Sequence, residues 1–409
     1  MMNLSKLMLI LILLIGWAAV GGAFPALIAE EKPDSKVSPA VERLYDEWNP
    51  YEDRANELYS NFKYTPLIGL PEGDELSRRD PTKVLLIDGV YHVWYTGRKH
   101  VGIPVGPQQA SAQRASFDWD LCDIWHATSE DGWTWKEDAE PAVKRPPKPK
   151  TGWRSISTPD ILIWKGKYYL YYQAFDQIPG QVGGDRAAVS VAVADSPYGP
   201  WERTDRLVLD FGAPDDWDAN AIHDPNPIVY RERIYLYYKG SPQRGGAGRT
   251  IVRAQGVAIA DDPLGPFEKS PLNPVINSGH ETCMFPWKEG VAALVSLDGA
   301  EKNSIQVAAD GIHFELASII QLPPIAPGIF LPDAFGSKGD GRGFTWGLCH
   351  IMDKESGVNN SVLARFDCDL SLDVNRPMFK HNNLRFNDAT YFQKVLRMPP
   401  GWLRGERYP

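Results

Sequence analysis

STPDILIWKGKYYLYYQAF, from Ser157 to Phe175, decides the fold. An apolar run leads into Lys165-Gly166, and a Tyr-rich run returns from it. Two β-rich runs joined by such a turn make a hairpin, and Tyr-x-Tyr alternation marks half-buried strands. The phrase recurs as RRDPTKVLLIDGVYHVWYTG from Arg78 to Gly97 and HDPNPIVYRERIYLYYKG from His223 to Gly240. Degenerate copies are GHETCMFPWKEGVAALVS, Gly279 to Ser296, and FLPDAFGSKGDGRGFTWGL, Phe330 to Leu348. A second kind of phrase lies between the hairpins: DIWHATSEDGWTWKE at Asp123, VAVADSPYGPWE at Val191, GVAIADDPLGPFEK at Gly256 and VAADGIHFE at Val307. Each supplies an apolar strand, a tight turn and an aromatic restart. Two hairpins per repeat make a four-stranded sheet, and five such sheets predict an all-β, five-bladed propeller. Long helix-period segments are absent, which disfavours a βα barrel.

Outside the repeats, Lys6 is followed by an apolar run from Leu7 to Val20 and then Gly21, Gly22 and Ala23. That is the pattern of a secretory signal over residues 1–23, with cleavage as late as Ala29. The run is shorter than the roughly 20 apolar residues of a spanning helix. The expectation is an exported protein, periplasmic or secreted, with no membrane association once the signal is removed. Ser38 to Leu58 reads as one or two short helices broken at Asn49-Pro50. A helical segment over 38–62, capping the propeller or docking on a second subunit, would thus precede a catalytic propeller over 63–380 and an irregular tail over 381–409. The net charge of −9 argues against nucleic acid or an anionic membrane surface as a partner. Four cysteines (Cys122, Cys283, Cys349, Cys368) are too few and too scattered for a disulfide framework, and no CxxC or HExxH spacing points to zinc.

If the repeats open with the innermost strands, then Asp80, Asp160, Asp224, Glu281 and Asp333 gather around the axis from separate blades. One Asp before Pro is ordinary turn chemistry. Repetition points instead to a functional ring of carboxylates. Glycoside hydrolysis needs one group to protonate the leaving oxygen and another to activate water or attack the anomeric carbon, and a rigid sheet fixes the separation of such groups. Trp and Tyr near the strand ends would offer flat faces to sugar rings, although most of the 14 Trp are expected to pack between blades. In the fourth copy His280 adjoins Glu281. A histidine among carboxylates is protonated more readily and can donate a proton at neutral pH; a histidine bonded to a backbone carbonyl at a strand end is the equal alternative.

The combination of RRDP at Arg78, YHVWYTG at Tyr91, WHATS at Trp125, TPD at Thr158, ADSPYGPW at Ala194, HDP at His223, YLYYKG at Tyr235, GVAIADDPLGPF at Gly256 and NSGHE at Asn277 resembles glycoside hydrolase family 117, the α-1,3-L-neoagarooligosaccharide hydrolases (α-neoagarobiose hydrolases). DGAEKN at Asp298 and WGL at Trp346 extend the match. The resemblance implies a five-bladed propeller that removes 3,6-anhydro-α-L-galactose from the non-reducing end of agar oligosaccharides. It implies Asp80 as general base and His280 as general acid, with Asp224 and Glu281 orienting groups and tuning proton affinities. Trp125, His126 and Thr158 would line the sugar subsite, and Arg79, Asp160, His223 and Lys239, carried in the same motifs, complete the substrate-binding set. The family pattern has Thr-Pro-Glu where this chain has Thr-Pro-Asp, so Asp160 reaches one methylene less far. By the same resemblance no cofactor is required, some relatives carry a divalent cation near the site, and helices near the N-terminus exchange between the subunits of a dimer. A propeller glycosidase of another sugar (an arabinoside or sulfated galactoside) and a non-catalytic sugar-binding propeller are the competing readings.

Overall fold

The structure, a computed structural model, describes residues 36–42, 58–71, 73, 76–181, 185–242, 253–331, 341–353 and 360–372. The expected signal segment, most of the helical stretch after Glu42, Asp333 and the tail over 381–409 lie outside these residues. Among the described residues no helix is long and apolar enough to cross a membrane.

The strands form five separate antiparallel sheets, the blades of a five-bladed β-propeller. Blade one runs outward from Leu76–Arg79 and Leu85–Ile87 through Val90–Lys99 and Asp123–Ser129 to Lys136–Glu137. Blade two comprises Ser155–Trp164, Lys167–Phe175, Ala188–Ala194 and Glu202–Leu209. Blade three comprises Ala221–Tyr230, Arg233–Ser241, Ala254–Ala260 and Glu268–Lys269, and blade four Cys283–Trp287, Gly290–Val295, Ser304–Ala308 and Glu315–Ile319. Blade five joins Ile325–Ile329, Gly343–Asp353 and Asn360–Ser371 to the early strand Lys63–Pro66, which is its outermost member, with Tyr64 opposite Phe366. The inner hairpins turn where expected: Asp88-Gly89 and Lys165-Gly166 both have positive φ, as a two-residue turn between twisted strands requires.

Each blade is covered on both faces by its neighbours. Consecutive aromatic residues, which point to opposite faces of a strand, are therefore both buried: Trp94 and Tyr95, Tyr171 and Tyr172, Tyr237 and Tyr238. The four cysteines are buried free thiols.

One local device repeats around the axis. In the innermost strand, or at its start, every blade turns through a residue in the left-handed region: Asp80 (φ 50°), Thr158 (47°), Asp224 (50°), Glu281 (57°) and Ala326 (49°). Proline follows in four of the five, and the ladder register breaks between Ser157 and Asp160, His223 and Asn226, and Ile325 and Gly328. Each break is a bulge, which re-aims one side chain. A non-glycine residue in this region costs about 1–2 kcal/mol and is retained where the aim matters. The repeat register therefore differs from the acid-based one in two blades. Thr158, not Asp160, occupies the corner of blade two. In blade five the inner strand is Ile325–Ile329 with Ala326-Pro327 at its corner, so the phrase opening at Phe330 follows that strand rather than starting it.

Blades five and one meet by backbone contact. Val84 N donates to Ile329 O (3.0 Å), and a Cβ on Gly328 would lie 2.1 Å from Thr82 O. Gly328→Ala is expected to wedge this seam and cost about 1–3 kcal/mol, measured as a lowered urea midpoint at unchanged m-value; an unchanged midpoint would show that the seam is slack.

Candidate active site

The five corners line one axial depression: Asp80, Thr158, Asp224, Glu281 and Ala326 with their following residues, and below them Lys83, Asp160 and Asn226. Arg79, buried beside Asp80, organises the upper tier. Its Nε donates to Asp80 Oδ2 (2.9 Å), its Nη2 to Glu281 Oε1 (2.9 Å), and its Nη1 lies 3.7 Å from Asp118 Oδ2. Asp80 Oδ2 also accepts from Thr158 Oγ1 (3.1 Å) and Thr96 Oγ1 (3.3 Å). Asp80 Oδ1 is buried without a hydrogen-bond partner, with His350 Nδ1 at 3.3 Å. Burial alone would raise the Asp80 carboxyl, but the Arg79 charge and His350 outweigh it and hold the group well below the ordinary carboxylate range. Asp80 is thus a carboxylate at neutral pH, with Oδ2 tied down by three donors and Oδ1 accepting no hydrogen bond.

Asp224 is held by Lys239 Nζ (2.8 Å) and by the backbone N–H of Glu281 (3.0 Å) on the same oxygen, Oδ2. Burial opposes its ionisation, but Lys239 and then His280 and His223 bring the carboxyl down to about 2. His223 is pushed down to about 3 by burial first and Lys239 second, so it is a neutral imidazole, and its Nε2 has no hydrogen-bond partner.

His280 lies on the loop between blades three and four. Its backbone N–H donates to Ser296 O (2.9 Å), and that of Gly279 donates to Asp298 O (2.9 Å), which laces this loop to the one after Val295. The imidazole is about one-quarter exposed, with Nδ1 3.2 Å from Asp298 Oδ2 and 3.1 Å from Arg253 Nη1. The short helix Pro39–Glu42 braces the same loop: Asn277 Nδ2 donates to Ala40 O (2.6 Å), and Ser38 Oγ, which caps the helix at Val41 N, donates to Pro274 O (2.8 Å).

The structure thus brings Asp80, Arg79, Thr158, Asp224, His223, Lys239, Glu281 and His280 into one neighbourhood. Asp160 lines the floor, but its carboxylate is taken: Lys83 grips one oxygen with Nζ and the other with its backbone N–H (3.1 Å). Lys83 Nζ also donates to Asn226 Oδ1 (3.2 Å) and Pro227 O (3.3 Å). Trp125 and His126 do not line the depression. Trp125 packs between blades with Val84, Tyr95 and Trp346, under Lys99 Nζ at 3.3 Å from the ring centroid. His126 stacks on Trp94 and joins Asp138 Oδ2 (2.7 Å) to His92 Nδ1 (3.0 Å). Sequence reasoning missed Lys83, Thr96, Asp118, Arg253 and His350; Asp298 sat in a quoted motif without a role.

His92 in that outer cluster is pushed down to about 4, by burial first and His126 second. Its folded value lies below the ordinary 6.5, so the unfolded chain takes up a proton between about pH 6.5 and 4 while the folded chain does not. Stability is lost as pH falls through that window. His92→Gln is expected to flatten the decline of Tm between pH 6.5 and 4; a decline as steep as the parent's would contradict the assignment.

Asp80, Glu281 and His350 each offer a ligand atom within 4.8 Å of the others. The guanidinium of Arg79 sits 2.9 Å from Asp80 Oδ2 and Glu281 Oε1, and its fixed positive charge would oppose a divalent cation there, while Asp80 Oδ1, Glu281 Oε2 and His350 Nε2 carry no hydrogen bond. The cluster is an ion-pair network organised by Arg79.

This fold and site define a glycoside hydrolase, and comparison with known proteins agrees. The profile of Glycosyl hydrolases family 43 matches residues 113–254. The solved structure of Zg3597, a family 117 glycoside hydrolase produced by the marine bacterium Zobellia galactanivorans, is 50% identical, with a TM-score of 0.75, and the alignment covers 84% of this chain and 100% of that one. The chain belongs to glycoside hydrolase family 117. BT0996, solved as an RGII complex (13% identity, TM-score 0.52), and a further glycoside hydrolase (14%, 0.51) share the fold, each alignment covering 76% of this chain and 92% of the other. No curated protein matches the chain.

Proposed function

We propose that the protein is an exo-acting glycosidase that releases 3,6-anhydro-α-L-galactose, or a related α-L-galactoside, from the non-reducing end of agar-type oligosaccharides. The observation that carries this reading is an ionised axial carboxylate, Asp80, joined through Arg79 to Glu281, whose chain neighbour His280 is a partly open histidine. Asp80 takes a proton from water as its oxygen attacks the anomeric carbon. The glycosidic C–O bond breaks with its electron pair going to the leaving oxygen, which receives a proton from His280. Asp224, Glu281 and the neutral His223 hold sugar hydroxyls. The choice of sugar is supported by the motif agreement with the family, including RRDP and NSGHE. Export and dimerisation through the N-terminal segment belong to the same proposal, checked by N-terminal sequencing of the secreted protein and by light scattering.

The test is a product assay across agar, porphyran and carrageenan oligosaccharides. Release of anhydrogalactose from neoagarobiose is expected, with inversion at the anomeric carbon seen by NMR because water attacks directly. Cleavage confined to another oligosaccharide would remove the substrate and leave the class standing; retention of configuration would remove Asp80 as the base.

A further inference from the structure

We propose that Asp298 and Arg253 are positioning residues that act on His280 in opposite directions: Asp298 favours its protonated form, and Arg253 its neutral form. This rests on His280 being the proton donor. Both groups meet the same ring nitrogen. A protonated Nδ1 donates to Asp298 Oδ2 across the 3.2 Å contact, whereas an unprotonated Nδ1 accepts from Arg253 Nη1 across the 3.1 Å contact. Arg253 Nη1 also bonds Asp298 Oδ2 directly, so it partly neutralises the carboxylate that would stabilise the imidazolium. In both states Nδ1 is engaged, and Nε2 is the nitrogen left to face a leaving oxygen.

The remaining charged neighbours do not distinguish the two states in this way. Asp224 and His223 act on His280 from the inner strand of blade three; Asp224 is paired with Lys239, and His223 is a neutral imidazole. Glu281, next in the chain, is paired with Arg79. The triad of Arg253, His280 and Asp298 is therefore a local device. Arg253 stands at the start of Ala254–Ala260 and Asp298 on the loop after Gly290–Val295, so neighbouring blades supply the two opposing charges. Side-chain exposures of 37% and 40% let water screen both, so moderate effects are expected.

The experiment is an NMR titration of the His280 ring, assigned by its loss in His280→Gln, together with pH–rate profiles. Asp298→Asn is expected to move the His280 midpoint and the alkaline limb of kcat/KM down by about 0.5–1 pH unit. Arg253→Met should move both up by a similar amount, and Arg253→Lys should restore the parent profile in part. A general acid must be protonated to act, so activity falls as pH rises through its titration. Midpoints that stay put, or move the same way in both variants, would overturn the proposal. Opposed NMR shifts without matching movement of the limb would instead remove His280 as the proton donor, so the two failures are separable. A purely structural role lowers activity in both variants without opposed shifts.

Discussion

Asp80→Asn is expected to lower kcat by about 10²–10⁴-fold, the range of a lost general base, with KM changed by less than about threefold. Asparagine has the same shape, and its amide oxygen can still accept from Arg79 Nε and the hydroxyls of Thr158 and Thr96. What disappears is the charge and the ability to take a proton. Oδ1 accepts no hydrogen bond in the folded protein, and Asp80 lines the axial depression, so Oδ1 is the oxygen left to take the proton. Because Arg79 and His350 hold the group far below neutrality, wild-type activity should show no acid limb from Asp80 near neutral pH. Steady-state kinetics on the preferred oligosaccharide, with binding measured separately by calorimetry, tests both parts. Turnover within tenfold of wild type would move the base elsewhere, and lost binding with unchanged kcat would make Asp80 a sugar contact.

Arg79→Met is expected to have the largest effect on stability. One guanidinium stands between Asp80, Glu281 and Asp118, all buried. Removing one partner of a buried ion pair costs about 3–5 kcal/mol, a large share of the roughly 5–15 kcal/mol that holds a typical domain together. The loss also has a pH signature. The folded Asp80 carboxyl lies below its ordinary unfolded value, so its contribution is complete above about pH 4–5 and is lost as pH falls through the carboxylate range. Without Arg79 most of that contribution is absent at the start. The gap in Tm between wild type and variant should therefore be widest near pH 7 and should narrow on acidification. A gap that stays constant down to pH 3 would show that Arg79 acts by packing alone, for instance through its 5.2 Å contact with the Trp119 ring.

Why some of this was legible in the sequence and some was not follows from how a propeller is built. The hairpins were legible because their turns are local, as at Lys165-Gly166. RRDP, HDP and GHE pointed to the axis because three of their acids, Asp80, Asp224 and Glu281, occupy the bulge corners. Scanning for acids misplaced blades two and five, where the corner residues are Thr158 and Ala326; the recurring proline was the better marker. Trp125 and His126 carried a strong aromatic signal but lie between blades, since both faces of each sheet are interior and alternation says little about which side chain meets the ligand. Lys83, Thr96, Asp118 and His350 were hidden for the opposite reason. Each is an ordinary strand or loop residue that reaches the site only once distant segments are assembled, and nothing in its immediate sequence marks it.

The strand Lys63–Pro66 has a bearing on how the molecule comes into being. It completes blade five by pairing with Asn360–Ser371, so the earliest strand described waits for the last before it has a neighbour. The entropy of closing so long a loop grows only logarithmically, but it must be met before the contact is rewarded, and pairing at such range is slow. Four blades can form in order of synthesis; the fifth cannot. Until it does, the edge of Asn360–Ser371 that will receive Lys63–Pro66 is open, and open strand edges invite pairing with other chains. The interval between completing the chain and closing the ring is therefore the period of greatest risk of aggregation. Substitutions at the Tyr64–Phe366 pair should show themselves first in the yield of refolding rather than in the activity of the finished enzyme.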